Sequence, residues 1–153
     1  MKKEVEKNAL PLIPMIIEAK SLMNKELILN YRNAKITKRN LKNYLDLARS
    51  ILKVNNSALD LEKESGSKYA SDAIAYSLVL QVRGLYIINK IIKNKTWSNK
   101  ELILLIKKIT GSVLIYEGYL RVKANKNKTK KTPINQAKKL YDYLLKLIDN
   151  LKN

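Results

Sequence analysis

Apolar positions recur along this chain with the 3.6-residue period of an α-helix, and strand-type alternation bounded by turn residues is hard to find. Between Pro11 and Tyr31, the residues Leu12, Met15, Ile16, Ala19, Leu22, Met23 and Leu27 fall on one helical stripe. Pro11 or Pro14 fits the first turn of that segment, where a missing N–H costs nothing. A second helix is expected after Thr37, a good N-cap, running to about Glu64 with Leu41, Tyr44, Leu45, Ala48, Ile51 and Leu52 on one face. Ser65-Gly66-Ser67 stops it and caps the next.

The third segment, about Lys68–Asn94, is apolar nearly all round, from Tyr69 and Ala73 through Leu80, Leu85 and Ile87 to Ile92. A helix without a wide polar face is surrounded by others, so this one is expected at the centre. Its small residues, Ala70, Ala73, Ala75, Ser77 and Gly84, allow neighbours to approach closely. Ser98-Asn99-Lys100-Glu101 is a capping box opening a helix from about Asn99 to Thr110, and Gly111 punctuates. A fifth helix, about Ser112–Lys123, carries Val113, Tyr116 and Leu120 as core positions. After the apolar-poor loop Ala124–Lys131, Thr132-Pro133 reads as a cap with proline at the first helical position. The last helix runs to about Leu151 with Ala137, Leu140, Tyr141, Leu144, Ile148 and Leu151 inward. These elements predict an all-α fold, an antiparallel helical bundle of five to six helices in a single domain over residues 1–153, with residues 1–36 a candidate added N-terminal helix.

Composition narrows the chemistry. The chain has no cysteine and no histidine. Disulfides, thiolate metal sites and a cysteine nucleophile are excluded, and the commonest zinc ligand and general base are missing. No cofactor and no metal are expected. The start, Met1-Lys2-Lys3-Glu4-Val5-Glu6, lacks the apolar core of a secretion signal. The most apolar stretch, Ala73–Ile92, contains Gln81, Arg83, Asn89 and Lys90, so it reads as a buried helix rather than a membrane span. Cytoplasmic residence is the expectation.

Charge changes the picture most. Thirty-one Lys and Arg stand against 13 Asp and Glu, a formal net charge of +18. Such a surface attracts polyanions and opposes self-association. The abundance of Lys, Asn and Ile fits an AT-rich coding bias, which explains the lysines better than it explains the shortage of acids. A solvated lysine coat is the alternative reading. Between Gly118 and Tyr141 there is no acid and there are eight bases: Arg121, Lys123, Lys126, Lys128, Lys130, Lys131, Lys138 and Lys139. Between Leu27 and Leu45 there is again no acid, with Arg32, Lys35, Lys38, Arg39 and Lys42. Such clusters give salt-sensitive binding to RNA or another polyanion through counterion release. Base-reading motifs are absent, and Lys outnumbering Arg argues against bidentate readout of guanine.

Two smaller features are candidates. Asp60, Glu62 and Glu64 form the densest acidic patch, where Asp60 and Glu64 could share a cation or simply answer surface lysines. Arg83 sits in the most apolar helix, where an unpartnered guanidinium is costly. It is expected to reach an edge, to pair with Asp72, Glu117 or Asp142, or to hold an anion.

The order of three segments completes the reading. Leu41-Lys42-Asn43-Tyr44-Leu45-Asp46-Leu47-Ala48-Arg49 leads to Lys68-Tyr69-Ala70-Ser71-Asp72-Ala73-Ile74-Ala75-Tyr76-Ser77. Then come Ile115-Tyr116-Glu117-Gly118-Tyr119-Leu120-Arg121-Val122-Lys123 and a final amphipathic helix. Over about residues 41–151 the chain resembles the HEPN superfamily of helical bundles (higher eukaryotes and prokaryotes nucleotide-binding), in the prokaryotic forms found beside minimal nucleotidyltransferases. Ribonuclease members of that family carry an Arg, four to six residues, then a His. Arg121 falls at the Arg, but Asn125–Asn127 hold no His. The resemblance therefore implies a non-catalytic member that contacts RNA or a protein partner, and bundles of this kind commonly dimerise through their long helices. A protein-interaction subunit, its charge answering an acidic partner such as a nucleotidyltransferase, is the alternative function.

Overall fold

The computed structural model describes residues 36, 38–126 and 132–152, and it divides the chain into two units, residues 1–47 and 48–153. Of the first unit the described part is Ile36 and the opening of one long helix, α1 (Lys38–Glu64). The expected helix Pro11–Tyr31, the cap at Thr37, and the residues Arg32 and Lys35 lie outside the described residues.

The second unit continues α1 from Ala48 and adds β1 (Tyr69–Ala70), α2 (Asp72–Ile92), α3 (Asn99–Thr110), α4 (Leu114–Lys123), β2 (Thr132–Pro133) and α5 (Ile134–Lys152). Helix α1 ends as its sequence demands. Gly66 takes the left-handed conformation at φ 76°. Its N–H donates to Lys63 O and the Ser67 N–H to Glu62 O, which satisfies two terminal carbonyls.

Cross-helix pairs fix the directions. Glu62 accepts from the Ser71 N–H and Asn55 donates to Ser77 Oγ, so α1 and α2 run antiparallel. Glu101 meets Tyr86 and Lys90, Tyr119 stacks on Tyr76, and Arg121 reaches Asp72. Helices α3 and α4 therefore climb back along α2 one after the other, broken at Gly111–Val113. Arg49 pairs with Asp149 and Asn56 accepts from Lys138, so α5 descends antiparallel to α1. The second unit is an up-down-up-down bundle whose third helix is interrupted.

The core follows from α2. Leu78, Val79, Val82, Leu85, Ile87 and Ile88 are buried there against Ile106, Ile115, Leu140, Leu144 and Ile148. Leu80, expected among them, is only half-buried.

The all-α bundle expected from periodicity is what the chain forms, with five helices among the described residues. The starts of three helices differ from expectation. Helix α2 begins at Asp72 rather than Lys68 because Tyr69–Ala70 pairs antiparallel with Thr132–Pro133 as a two-stranded ribbon. Thr132-Pro133 is accordingly strand, not cap and first turn, and α5 opens at Ile134, whose N–H donates to Lys68 O. Helix α4 opens at Leu114 rather than Ser112. No helix among the described residues is long and apolar enough to cross a membrane.

Candidate nucleic-acid interface

The C-terminal end of α4 is built by a close helix contact and an ion pair. Gly118 faces α2, where an added Cβ would stand 2.9 Å from Ala75 Cβ and 3.1 Å from Asp72 Oδ1. That approach brings Arg121 onto Asp72. Its Nε donates to Oδ2 and its Nη2 to Oδ1, both at 2.7 Å. The carboxylate is fully buried and the guanidinium 17% exposed. A two-pronged pair of this kind fixes orientation as well as energy. The hydrogen bonds to Asp72 hold the Arg121 pKa above its ordinary value, against the desolvation that opposes the charge.

Arg121 was expected as a phosphate contact; the structure commits it to Asp72. Asp72 was an expected partner of Arg83, but the two lie on one helix about 16 Å apart along its axis, beyond side-chain reach. Arg83 itself is half-buried midway along α2, and Glu117 and Asp142 are exposed.

Beyond the pair the end of α4 opens to solvent. Lys123 and Lys126 are exposed, and neither makes an ion pair among the described residues. With Leu120, Arg121 and Ala124 they line an open cleft of about 480 Å³. Tyr76, Tyr119 and Tyr116 form a ring stack on the flank of α4, with centroids 5.4 and 5.5 Å apart.

The lysine-rich loop leaves from and returns to fixed points. Asn125 takes φ 51°, the Asn125 N–H donates to Val122 O and the Lys126 N–H to Arg121 O, closing the helix end. The chain re-enters at Thr132, fully buried and paired with Ala70. Lys128, Lys130 and Lys131 lie between these feet, outside the described residues. In the other basic cluster, Arg39 is exposed on α1, while the side chains of Arg32, Lys35 and Lys38 lie outside the described residues.

Five acids of the second unit have partners within it, and of these only Asp72 is buried. Asp149 holds Arg49, Asp72 holds Arg121, and Glu62 caps α2 through the Ser71 N–H. Asp60 accepts from the Asn56 amide. Glu101 accepts from Lys90 Nζ and from the Tyr86 hydroxyl. Those bonds hold its carboxyl below the ordinary 4.5, the Lys90 bond most. These five carboxylates hold partners within the fold, while Glu64, Glu117 and Asp142 are exposed.

The sequence pointed to Arg121 but not to its partner. The signal available was Gly118, three positions before Arg121, since a glycine inside a helix marks a close approach. Comparison of the chain with protein-family models, with curated proteins and with solved structures finds no match.

Proposed function

We propose that the protein is a non-enzymatic, HEPN-like bundle that binds RNA or a similar polyanion electrostatically at the C-terminal end of α4. The observation that carries this reading is the division of labour at that end. Arg121 is tied to buried Asp72 and positions the helix, while Lys123 and Lys126 stand exposed at the foot of a loop bringing Lys128, Lys130 and Lys131. Phosphate binding thus belongs to the lysines, and Arg121 is a positioning residue.

The same pair supports the absence of catalysis. A guanidinium held two-pronged by a carboxylate, in a chain without histidine, lacks the Arg–His pair with which ribonucleases of the HEPN family cleave RNA. Lysines are point charges that neutralise phosphate without reading bases, so binding should be largely independent of sequence.

Titrating one labelled single-stranded RNA with the protein at three salt concentrations tests the reading. Affinity should fall steeply with salt and the RNA should stay intact. Salt-independent binding would refute the electrostatic site, and RNA cleavage abolished by Arg121→Ala would refute the non-catalytic assignment.

A further inference from the structure

Three tyrosines of the second unit form one aromatic group. Tyr119 is buried and meets both Tyr76 of α2 and Tyr116 of its own helix, with interplanar angles of 14° and 32°. Tyr76 and Tyr116 are half-buried, so part of each side chain meets solvent. Elsewhere in the fold, tyrosine rings are covered by the protein's own cations. Lys90 lies over Tyr86 and Lys138 over Tyr141, at 5.4 and 4.4 Å from the ring centres. Among the described residues no cation lies over Tyr76, Tyr116 or Tyr119.

Helical spacing joins this group to the basic end of α4. Tyr116, Leu120 and Lys123 fall within about 60° around the helix, so they share one face. Leu120 on that face is 44% exposed and, with Lys123, Ala124 and Lys126, lines the open cleft. Glu117, the one acid of α4, is turned about 100° from Tyr116, towards Arg121. Along the axis Tyr116 and Lys123 are about 10.5 Å apart, the span of about three nucleotides of a stacked strand.

Aromatic and apolar surface beside cations suits a single strand, which offers open base faces together with phosphates. A duplex hides its base faces within its own stack. Charge alone would favour the duplex, which carries more phosphates along its axis. Given phosphate binding at Lys123 and Lys126 as proposed above, we infer that Tyr116, backed by Tyr119, stacks on a base, so that the site selects single strands over duplex. Every base has a π-face, so stacking tolerates any sequence, in keeping with lysines that read no base.

Anisotropy titrations of the full-length protein with three ligands of equal length test this: a DNA single strand, its duplex, and the same strand without bases. Wild type should bind the single strand about 5- to 150-fold more tightly than the base-free strand, the range for one stacked base, and more tightly than the duplex. Tyr116→Leu, which keeps apolar bulk but has no ring face, should lose that preference without changing the salt slope. Tyr116→Phe should retain it. Equal, salt-sensitive binding of the single and base-free strands would overturn the stacking and leave the lysine site standing. A preference that survives Tyr116→Leu would overturn the role of Tyr116. Absence of salt-sensitive binding to all three ligands would overturn both the stacking and the lysine site.

Discussion

Replacing Gly118 by Ala isolates the contact on which the proposed binding end depends. An added Cβ would sit 2.9 Å from Ala75 Cβ, 3.1 Å from Asp72 Oδ1 and 3.4 Å from Arg121 Nη2. Carbon atoms are comfortable at about 3.5–4.0 Å. Ala75 Cβ is fixed to the α2 backbone and the Asp72 carboxylate is pinned by two hydrogen bonds, so neither can swing aside. Helix propensity alone favours Ala over Gly by about 1 kcal/mol. Overpacking costs about 1–3 kcal/mol. The sum is a net loss of up to about 2 kcal/mol, and the decisive quantity is its dependence on Ala75. With Ala75→Gly in place the worst contact disappears, and Gly118→Ala should become stabilising by up to about 1 kcal/mol. Urea unfolding of the four proteins gives the cycle, with an expected coupling of about 1–3 kcal/mol. An equal effect of Gly118→Ala in both backgrounds would refute the close packing of α4 on α2.

Two further predictions concern ion pairs. Breaking a buried pair from one side costs about 3–5 kcal/mol, and the partial exposure of Arg121 reduces this to about 2–4 kcal/mol for Asp72→Leu or Arg121→Met alone. The double variant should recover most of the loss, and strictly additive losses on urea unfolding would contradict the pairing. Glu101, with its folded pKa depressed below 4.5, contributes stability that is present above that value and lost as pH falls through the folded one. Thermal midpoints of wild type and Glu101→Gln should therefore differ most near pH 6 and converge towards pH 3, and a constant difference would contradict the Lys90–Glu101–Tyr86 group.

The helical period made α1, α2, α3 and α5 legible, because each buries a stripe whose spacing repeats over several turns. Local hydrogen-bond chemistry made the end of α1 and the start of α3 legible too. Ser98 Oγ accepts the Glu101 N–H as a capping box requires, although the Glu101 side chain turns to Tyr86 and Lys90 instead of closing the box. What stayed hidden is non-local. A two-residue ribbon has no period, so Tyr69–Ala70 and Thr132–Pro133 read as helix starts. The Asp72–Arg121 pair joins positions 49 residues apart, and its one local sign is Gly118, three positions before Arg121. Ile51, on the expected core face of α1, is only half-buried, because a sequence shows that a face is apolar but not how many neighbours share it.

The central claim is that charge acts at one place, the end of α4 and its loop, and not as a uniform coat. The direct measurement is the salt dependence of affinity for one single-stranded RNA. Three proteins are compared: wild type, a variant with Lys123, Lys126, Lys128, Lys130 and Lys131 all changed to Gln, and a control with the exposed Lys93, Lys95, Lys100, Lys107 and Lys108 changed to Gln. Both variants lose the same charge, and stability should change by no more than about 0.5 kcal/mol per substitution. Each phosphate contact contributes about 0.7 to the slope of log affinity against log salt for a single strand. The first variant should lose several contacts' worth of slope and the control almost none. Equal losses in the two variants would mean that the lysines act only as a diffuse coat, and an unchanged slope in both would remove the nucleic-acid role altogether.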